Sequence, residues 1–336
     1  MTFLKHALAA TLGAAAVLAT TTADAAMTLT ATALTQGWSL STFASGLPSS
    51  GYCCGPLGLE FPTTGGVLVA NFTGPVYFFL TNADNQTVAN ATVGSTFGAS
   101  QPVDLTLSGG QIYMANQGGN AIHRLGNTGA NQGTLTTSIP LFGPTGLATN
   151  PITGHIYVST LTGNNGIYEI NPADGATTLL QSGSFDGLTV SQDGRHLFAA
   201  DFNSVRQYST GVNGAPPVTE EAVFNFADSV DGTALGTGTL AGYLFANANS
   251  GNFYQVEIAT ATITLLASGG SRGDFVQVDP SNGTLLITQT DSVLRLTAPE
   301  GGGFEGTVPE PGTLGLFGVA LAGIAALRRR AGRAAA

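Results

Sequence analysis

The sequence predicts an all-β fold, a single six-bladed β-propeller, from its composition and from an internal repeat. Charged residues make up 9% of the chain and Gly accounts for 47 of its 336 residues. Long soluble helices usually carry a charged outer face, so this composition favours short strands joined by tight turns. Six short segments also recur 41 to 46 residues apart, the length of a four-stranded blade. These segments are Gly58-Leu59, Asp104-Leu105, Gly146-Leu147, Gly187-Leu188, Gly232-Thr233 and Asp274-Phe275.

Each repeat continues in the same order after its first strand. In the fourth repeat, Asp193-Gly194 forms a turn, because Asp and Gly tolerate the left-handed backbone that hairpins require. An apolar second strand follows at Leu197–Asp201, and a third strand with period-two apolar character runs from Val205 to Tyr208. Candidate fourth strands in other repeats are Leu135–Thr137, Thr177–Leu180 and Ile263–Leu266.

The sixth repeat lacks an evident fourth strand, whereas the N-terminus has a spare one. Residues Trp38–Phe43 precede the first repeat and alternate apolar with polar side chains. In a ring this strand can complete the last blade and remove an exposed sheet edge. We therefore expect residues 26–300 to form one closed propeller, with a seven-bladed ring or a β-sandwich as the alternatives.

The N-terminus predicts a secretory signal peptide over residues 1–25. Lys5 and His6 form a weakly basic start, and Ala7–Ala19 is an uncharged run of small apolar residues. Ala23 and Ala25 then supply a small-x-small cleavage site. A short buried helix or a membrane anchor is the alternative reading of the same run.

The C-terminus predicts a targeting segment over residues 308–336, separated from the propeller by a Gly-rich linker at 301–307. Pro309, Glu310 and Pro311 lead into an uncharged apolar run, Thr313–Leu327, which ends at a basic cluster. The cluster consists of Arg328, Arg329 and Arg330. A helix over the apolar run would just span a thin membrane, with the arginines on the cytoplasmic side and the propeller outside.

This order of Pro-Glu-Pro, apolar helix and arginine cluster resembles the PEP-CTERM sorting signal of Gram-negative bacteria. The resemblance implies that a membrane-embedded exosortase cuts near Pro309-Glu310-Pro311 and passes the body to the envelope or the exopolysaccharide matrix. Until that cut, the C-terminal helix would tether the precursor to the inner membrane. A plain membrane anchor is the alternative.

The net charge of −10 restricts the kinds of partner that the protein can bind. Lys5 is the only lysine, and four of the nine arginines lie in the last nine residues, so the body presents an acidic surface without basic patches. Such a surface repels phosphate backbones, which excludes nucleic-acid binding as an expected function.

Two segments resemble blades of the NHL and SMP-30-like propellers. They are Asp186–Leu188 with Ser191–Phe198, and Gln111–Asn116. The SMP-30 and gluconolactonase group holds a divalent cation at the channel mouth with Glu, Asn and Asp side chains. By this resemblance Asp186 and Asp231 stand at ligand positions. Cys54, before Gly55-Pro56, stands where that family has a Glu, which places metal-dependent lactone hydrolysis in doubt.

Four aspartates are candidate metal ligands because the first strands of a propeller begin around one end of its channel. Convergent carboxylates there would suit a hard cation such as Ca²⁺. The alternative is that each Asp caps its own turn through local hydrogen bonds. The four are Asp104, Asp186, Asp231 and Asp274, the last in Arg272-Gly273-Asp274, which we interpret as the start of the sixth repeat.

Cys53 and Cys54 are the only cysteines. In an exported chain both should be oxidised, which favours a vicinal disulfide in the loop that enters the first blade. Free thiols and intermolecular bridging are the alternatives, since adjacent cysteines lie closer than ordinary disulfide geometry prefers.

These observations predict an exported envelope or matrix protein whose propeller presents a binding or scaffold face. Its expected partners are an exosortase-type enzyme and an exopolysaccharide or another envelope protein. A divalent-cation-dependent, lactonase-like hydrolase is the alternative.

Overall fold

The computed structural model describes residues 26–51, 53–210, 218–299 and 303–304, and these form six antiparallel blades. Among them one α-helix occurs, and no helix is long and apolar enough to cross a membrane. The all-β, six-bladed prediction is confirmed. The signal segment, the predicted membrane helix and the whole sorting tail lie outside the described residues.

Each blade begins at the channel and adds its later strands outwards. Two N-terminal strands, β1 (Thr28–Leu29) and β2 (Ser39–Ser45), flank the helix α1 (Ala31–Thr35). Blade 1 consists of β3 (Pro56–Glu60), β4 (Val67–Asn71), β5 (Pro75–Phe79) and β7 (Ala91–Thr96), with the short β6 (Gln86–Thr87) and a 3₁₀ turn at Val88–Asn90 between the last two. Blade 2 consists of β8 (Pro102–Ser108), β9 (Gln111–Asn116), β10 (Ala121–Leu125) and β11 (Asn131–Thr134). Blade 3 consists of β12 (Pro144–Thr149), β13 (Ile156–Thr160), β14 (Gly166–Ile170) and β15 (Thr177–Ser182).

The second half of the ring repeats the pattern. Blade 4 consists of β16 (Leu188–Val190), β17 (His196–Asp201), β18 (Ser204–Ser209) and β19 (Thr219–Asn225). Blade 5 consists of β20 (Val230–Leu235), β21 (Tyr243–Ala248), β22 (Phe253–Glu257) and β23 (Thr262–Ser268), with a 3₁₀ turn at Gly238–Leu240. Blade 6 consists of β24 (Val276–Asp279), β25 (Thr284–Thr288), β26 (Val293–Thr297) and β2. Each first strand contacts the first strand of the next blade, and β24 contacts β3, so the ring is closed.

The strand registers show which residues occupy equivalent positions. The partners Leu59↔Val69, Leu105↔Met114, Leu147↔Val158, Leu188↔Ala199, Thr233↔Ala246 and Val276↔Ile287 correspond across the six blades. Phe275 therefore stands at the position of Gly232, and the predicted start of the sixth repeat was wrong by one residue. Spacing alone could not separate an Asp at the Gly position, as in Asp104, from an Asp one residue earlier, as in Asp274.

Three of the recurrent glycines allow neighbouring first strands to approach each other. A Cβ atom added at any of them would lie 2.2 to 2.3 Å from a carbonyl oxygen of the next blade. The pairs are Gly146 with Asp186, Gly187 with Asp231, and Gly232 with Asp274. A side chain there would force the first strands apart, which explains the Gly-Leu signature of the repeat.

The N-terminal segment closes the ring. Strand β2 pairs antiparallel with β26, from Ser39↔Thr297 to Thr42↔Leu294, so the predicted pairing of Trp38–Phe43 in the last blade is confirmed. Strand β6 pairs parallel with β2 and joins blade 1 to blade 6, while β1 adds a fifth strand to blade 5. Each addition covers an edge that would otherwise expose backbone hydrogen-bonding groups.

Arg295 connects blade 6 to the loop after β5 in blade 1. Its side chain is 6% exposed and donates to Asp84 Oδ1 at 2.6 Å, Asp279 Oδ2 at 2.9 Å and the Asn82 carbonyl at 3.0 Å. Its guanidinium also lies 5.6 Å from the ring centre of Phe43 in β2. One buried cation thus holds together the segments that meet at the closure.

Two sequence interpretations need correction. The fourth strand of blade 2 spans Asn131–Thr134, so the candidate Leu135–Thr137 was wrong. Leu135 follows the strand directly: its amide donates to the Ile122 carbonyl at 2.8 Å, and its side chain packs in the core. Phe304, inside the predicted linker, is fully buried and packs near Trp38 and Phe245, with ring centres 6.2 and 4.8 Å away. Its amide donates to the Gly283 carbonyl at 2.9 Å.

The two ends of the channel differ. We define the mouth as the end at which the first strands begin, and the exit face as the end at which they finish. The mouth is bounded by Leu57, Val103, Thr145, Asp186, Asp231 and Asp274, which precede the equivalent Gly position in blades 1 to 6. Phe304 docks at the exit face, beside the turn between β24 and β25.

The closure predicts that the stability of the fold depends strongly on Arg295. Arg295→Met should lower the free energy of unfolding by about 3 to 5 kcal/mol, because it leaves the fully buried Asp279 without its cation. Arg206→Met is the matched control: Arg206 also bridges two carboxylates, Asp201 and Glu220, but is 33% exposed, and should cost about 1 kcal/mol or less. Urea denaturation measures both, and equal losses would contradict the assigned role of Arg295.

Candidate functional site at the channel mouth

The mouth is divided into an apolar half and an acidic half. Blades 1 and 2 contribute Leu57 and Val103, which pack with Cys54 and Phe275. Blades 4, 5 and 6 contribute Asp186, Asp231 and Asp274 at equivalent positions. Three of the four predicted aspartates therefore come together because the repeat brings the same position of three successive blades to one side of the channel.

Arg272 occupies the centre of the acidic half. Its Nη2 donates to Asp231 Oδ2 at 2.6 Å, and its Nε donates to Asp274 Oδ1 at 3.1 Å. Asn249 donates its side-chain amide to the other oxygen of Asp231 at 3.1 Å. The sequence interpretation treated Arg272 only as part of a strand start. Its position beside Asp274 was visible, but its contact with Asp231, 41 residues away, was not.

The three carboxyl groups of the acidic half differ in how far Arg272 offsets the effect of burial on their pKa values. Burial raises the pKa of Asp186 well above its usual value, and the nearby charges of Asp231 and Asp274 raise it further. Burial also raises the pKa of Asp274, to about 7, although Arg272 opposes the shift. For Asp231, burial raises the pKa and Arg272 again opposes it. A single guanidinium thus faces three carboxylates.

Asp104 has a different role, which follows from its Gly-equivalent position. Its Oδ1 accepts from the Leu105 amide at 2.8 Å, and its Oδ2 accepts from the Leu147 amide of the next blade at 2.7 Å. Both oxygens therefore bind backbone at the junction of blades 2 and 3, as the capping alternative expects. Burial raises the pKa of Asp104 to about 8, and the neighbouring Glu60 adds to the increase.

The donor set does not fit a divalent cation in this arrangement. Two of the three converging carboxylates already bind Arg272, and Cys54 packs in the apolar half. Across the residues that the structure describes, no three His, Cys, Asp or Glu side chains are placed to hold a metal ion. The Ca²⁺ prediction stays a prediction.

Cys53 and Cys54 lie where the chain enters blade 1. The structure pairs them with each other, and both amides donate to Ser50 Oγ, at 3.2 and 3.0 Å. Cys54 is 4% exposed and contacts the apolar half of the mouth. The vicinal disulfide stays a prediction for the protein in solution, and its place beside the channel agrees with the position expected for this loop.

A cavity of about 200 Å³ opens beside the acidic half, which we call the mouth cavity. Its wall combines charged, polar and apolar side chains. They are Leu161, Ser184, Phe185, Asp186, Phe202, Ser229, Asp231, Asn249 and Arg272. Phe202 is 68% exposed and sits in the β17–β18 hairpin with φ of 50°, in the left-handed region.

A second cavity of about 320 Å³ occupies the channel itself. Glu60 and its equivalents Thr106, Ala148, Thr189, Ala234 and Gln277 all line it, and Phe304 lies at its exit end. Glu60 is 5% exposed, and burial raises its pKa to about 7. Its Oε1 accepts from the Phe61 amide at 2.8 Å, and the Gln277 amide lies 3.5 Å away.

The fold is similar to solved propellers of known and proposed enzymes. A gluconolactonase from Xanthomonas campestris aligns with a TM-score of 0.64 at 14% identity, over 82% of this chain and 95% of that one. A protein from Thermus thermophilus, described as a putative oxidoreductase (glucose dehydrogenase), aligns with a TM-score of 0.58 at 17% identity, over 78% and 100%. At these identities the similarity shows the fold alone. No curated protein matches the sequence.

The C-terminus gives the decisive comparison. Residues 307–330 match the model of the PEP-CTERM protein-sorting motif. The chain carries a PEP-CTERM sorting signal. This signal implies a protein that is exported and sorted to the cell surface or envelope by an exosortase, as Pro309-Glu310-Pro311 and the arginine cluster predicted.

The buried carboxylates predict that stability falls as pH rises. A folded-state pKa above the unfolded value favours the folded state below the unfolded pKa, and this contribution disappears as pH rises through the folded pKa. For Glu60 the window runs from 4.5 to about 7, a contribution on the order of 3 kcal/mol. Urea denaturation should therefore give a higher unfolding free energy at pH 5 than at pH 8.

Two variants test the assignment. Glu60→Gln should reduce this pH dependence by the share that Glu60 contributes, because the substituted side chain does not ionise, while Asp104 and Asp274 still do. Asp174→Asn, at an exposed turn, should leave it unchanged. A wild-type protein that is equally stable at both pH values would contradict the burial of neutral carboxyl groups in the channel.

Proposed function

We propose that this chain is a cell-envelope or extracellular-matrix protein whose propeller presents its mouth as a binding face, after an exosortase removes the sorting tail. The observation that carries the proposal is the position of Phe304. It is buried at the exit face three residues before the sorting motif begins at 307. The tail therefore departs from the end of the channel opposite the acidic mouth.

The length of the tether supports an outward-facing mouth. Thr313, the start of the apolar run, is nine residues after Phe304, so at most about 32 Å of extended chain separates them. A path from the channel around a blade to the mouth needs about 14 Å across four strands and about 20 Å along a strand. The tether is too short to follow that path and then enter a membrane. In the tethered precursor, the mouth would face away from the bilayer.

The processing step predicts a defined mature chain. Protein extracted from the envelope of a host with an exosortase should begin at Ala26 and end near Pro309-Glu310-Pro311, because the signal peptide and the apolar tail are removed. Intact-mass spectrometry measures both ends at once. A chain that still ends at Ala336 in such a host would contradict the proposal, and extract from an exosortase-deficient strain is the control.

A cation-dependent lactonase is the second candidate, favoured by the similarity to the gluconolactonase fold. It predicts that excess Ca²⁺ raises the melting temperature by binding the folded state, that EDTA reverses the shift, and that Asp231→Asn abolishes it. With Arg272 held between Asp231 and Asp274, we expect no shift and no lactone hydrolysis. A Ca²⁺-dependent shift accompanied by hydrolysis of a sugar lactone would favour the enzyme over the binding protein.

A further inference from the structure

The carboxyl groups at the mouth outnumber the cationic side chains that face them. Arg272 faces Asp186, Asp231 and Asp274, and within the described residues the Asp186 carboxylate accepts no hydrogen bond. Two buried acceptor atoms of this cluster have no hydrogen-bond partner among the described residues: Asn249 Oδ1, in the wall of the cavity, and Oδ2 of Asp274, whose other oxygen binds Arg272. Buried acceptors are normally satisfied, so the Asn249 oxygen indicates that a donor from outside the described chain belongs in the cavity.

Part of the wall of the mouth cavity is apolar. Phe185, Phe202 and Leu161 line it, and Phe202 is held with its ring largely in solvent. A phenylalanine at positive φ is a strained arrangement. Its backbone carbonyl accepts from the Val230 amide at 2.7 Å, at the start of the next blade, which fixes the hairpin in this position. The cavity thus pairs the Asp186 carboxyl group, which accepts no hydrogen bond from the described residues, with a fixed aromatic ring.

This pairing separates two classes of cation. A small inorganic cation needs several oxygen ligands around one point, and Arg272 already binds two of the three carboxylates. An organic cation needs one or two acceptors for its N–H groups and an apolar surface for its carbon atoms, and an aromatic face adds cation–π attraction. The chain has no lysine after Lys5, so no lysine side chain of its own body can fill the site.

We propose that the mouth cavity binds a primary ammonium group on a short alkyl stem, with the ammonium at Asp186 and Asp231 and the stem against Phe202. The cavity of about 200 Å³ is large enough for a four-carbon amine. The same chemistry is carried by a free alkylamine and by the lysine side chain of a partner protein. This proposal rests on the proposed function in one respect: the mouth must face away from the membrane for a ligand to reach it.

The test is a titration of the purified protein with n-butylammonium, followed by calorimetry or by chemical shifts. We expect a Kd on the order of 1 mM, and n-butanol, which has the same stem without the charge, should bind at least tenfold more weakly. Asp186→Asn should weaken butylammonium binding about tenfold or more, because it removes the carboxylate. Asp193→Asn, at a turn on the exit face, is the matched control and should leave binding unchanged.

A second variant tests the contact between the alkyl stem of the ligand and Phe202. Phe202→Ala should weaken binding of n-butylammonium about fivefold and should affect methylammonium less, since methylammonium has no stem to contact the ring. Nα-acetyl-lysine amide distinguishes the sources: binding at least as tight as butylammonium supports a partner's lysine, and weaker binding supports a free amine.

Equal binding of butanol and butylammonium, an unchanged Kd in Asp186→Asn, or displacement of butylammonium by equimolar Ca²⁺ would each overturn the proposal. The titration is independent of processing. If butylammonium does not bind, the processing proposal is unaffected, because the mass of the mature chain tests it separately. If the chain is never cut, the binding proposal is unaffected, because the titration uses the purified protein.

Discussion

Closure of the ring at blade 6 is the constraint on which the rest of this structure depends. The last repeat supplies three strands, and the fourth, β2, comes from the other end of the propeller domain. Arg295 then joins this blade to the loop after β5, and Trp38 packs against Phe304 at the exit face. Both ends of the described chain are thus fixed to the same part of the ring. The mouth can hold three aspartates close together because a closed ring keeps its first strands at fixed separations.

Arg295 and Arg272 each bind two carboxylates, but in different surroundings. Arg295 is 6% exposed and its carboxylate partners are arranged around it, so the cluster acts as a structural connection. Arg272 is 34% exposed at the edge of a cavity and leaves Asp186 and one oxygen of Asp274 without donors. A buried charge cluster is stable only when its hydrogen-bonding groups are satisfied. The incomplete cluster at the mouth is therefore the one that has capacity for a ligand.

Much of the fold could be predicted from the sequence because the repeat carries its own spacing signal. Gly146, Gly187 and Gly232 recur because first strands approach too closely for a Cβ, and the spare strand at Trp38–Phe43 indicated the closure. Phe304 could not be predicted as a core residue, since it lies in a Gly-rich stretch that resembles a linker. The fourth strand of blade 2 was misplaced because its residues Asn131–Thr134 are exposed and polar or glycine, whereas the apolar Leu135 that follows them packs in the core.

The candidate site was predicted less completely for a physical reason. Asp186, Asp231 and Asp274 share a repeat position, so their convergence follows from the ring, whereas Asp104 stands one residue later and binds backbone amides instead. The position of Arg272 between two carboxylates depends on contacts between blades 5 and 6 that no local pattern encodes. The resemblance to cation-dependent propellers predicts the positions of the carboxylates, but it does not predict the arginine that binds them.

The orientation of the mouth is the central claim, and cysteine labelling of the tethered precursor tests it most directly. Thr162→Cys lies in an exposed mouth-side hairpin between β13 and β14, and Thr64→Cys lies in the exposed exit-side turn between β3 and β4. In spheroplasts of an exosortase-deficient host, a large polyethylene glycol maleimide should modify Thr162→Cys several-fold faster than Thr64→Cys, whereas a small maleimide should modify both equally. Equal rates with the large reagent, or faster modification at Thr64→Cys, would contradict the account.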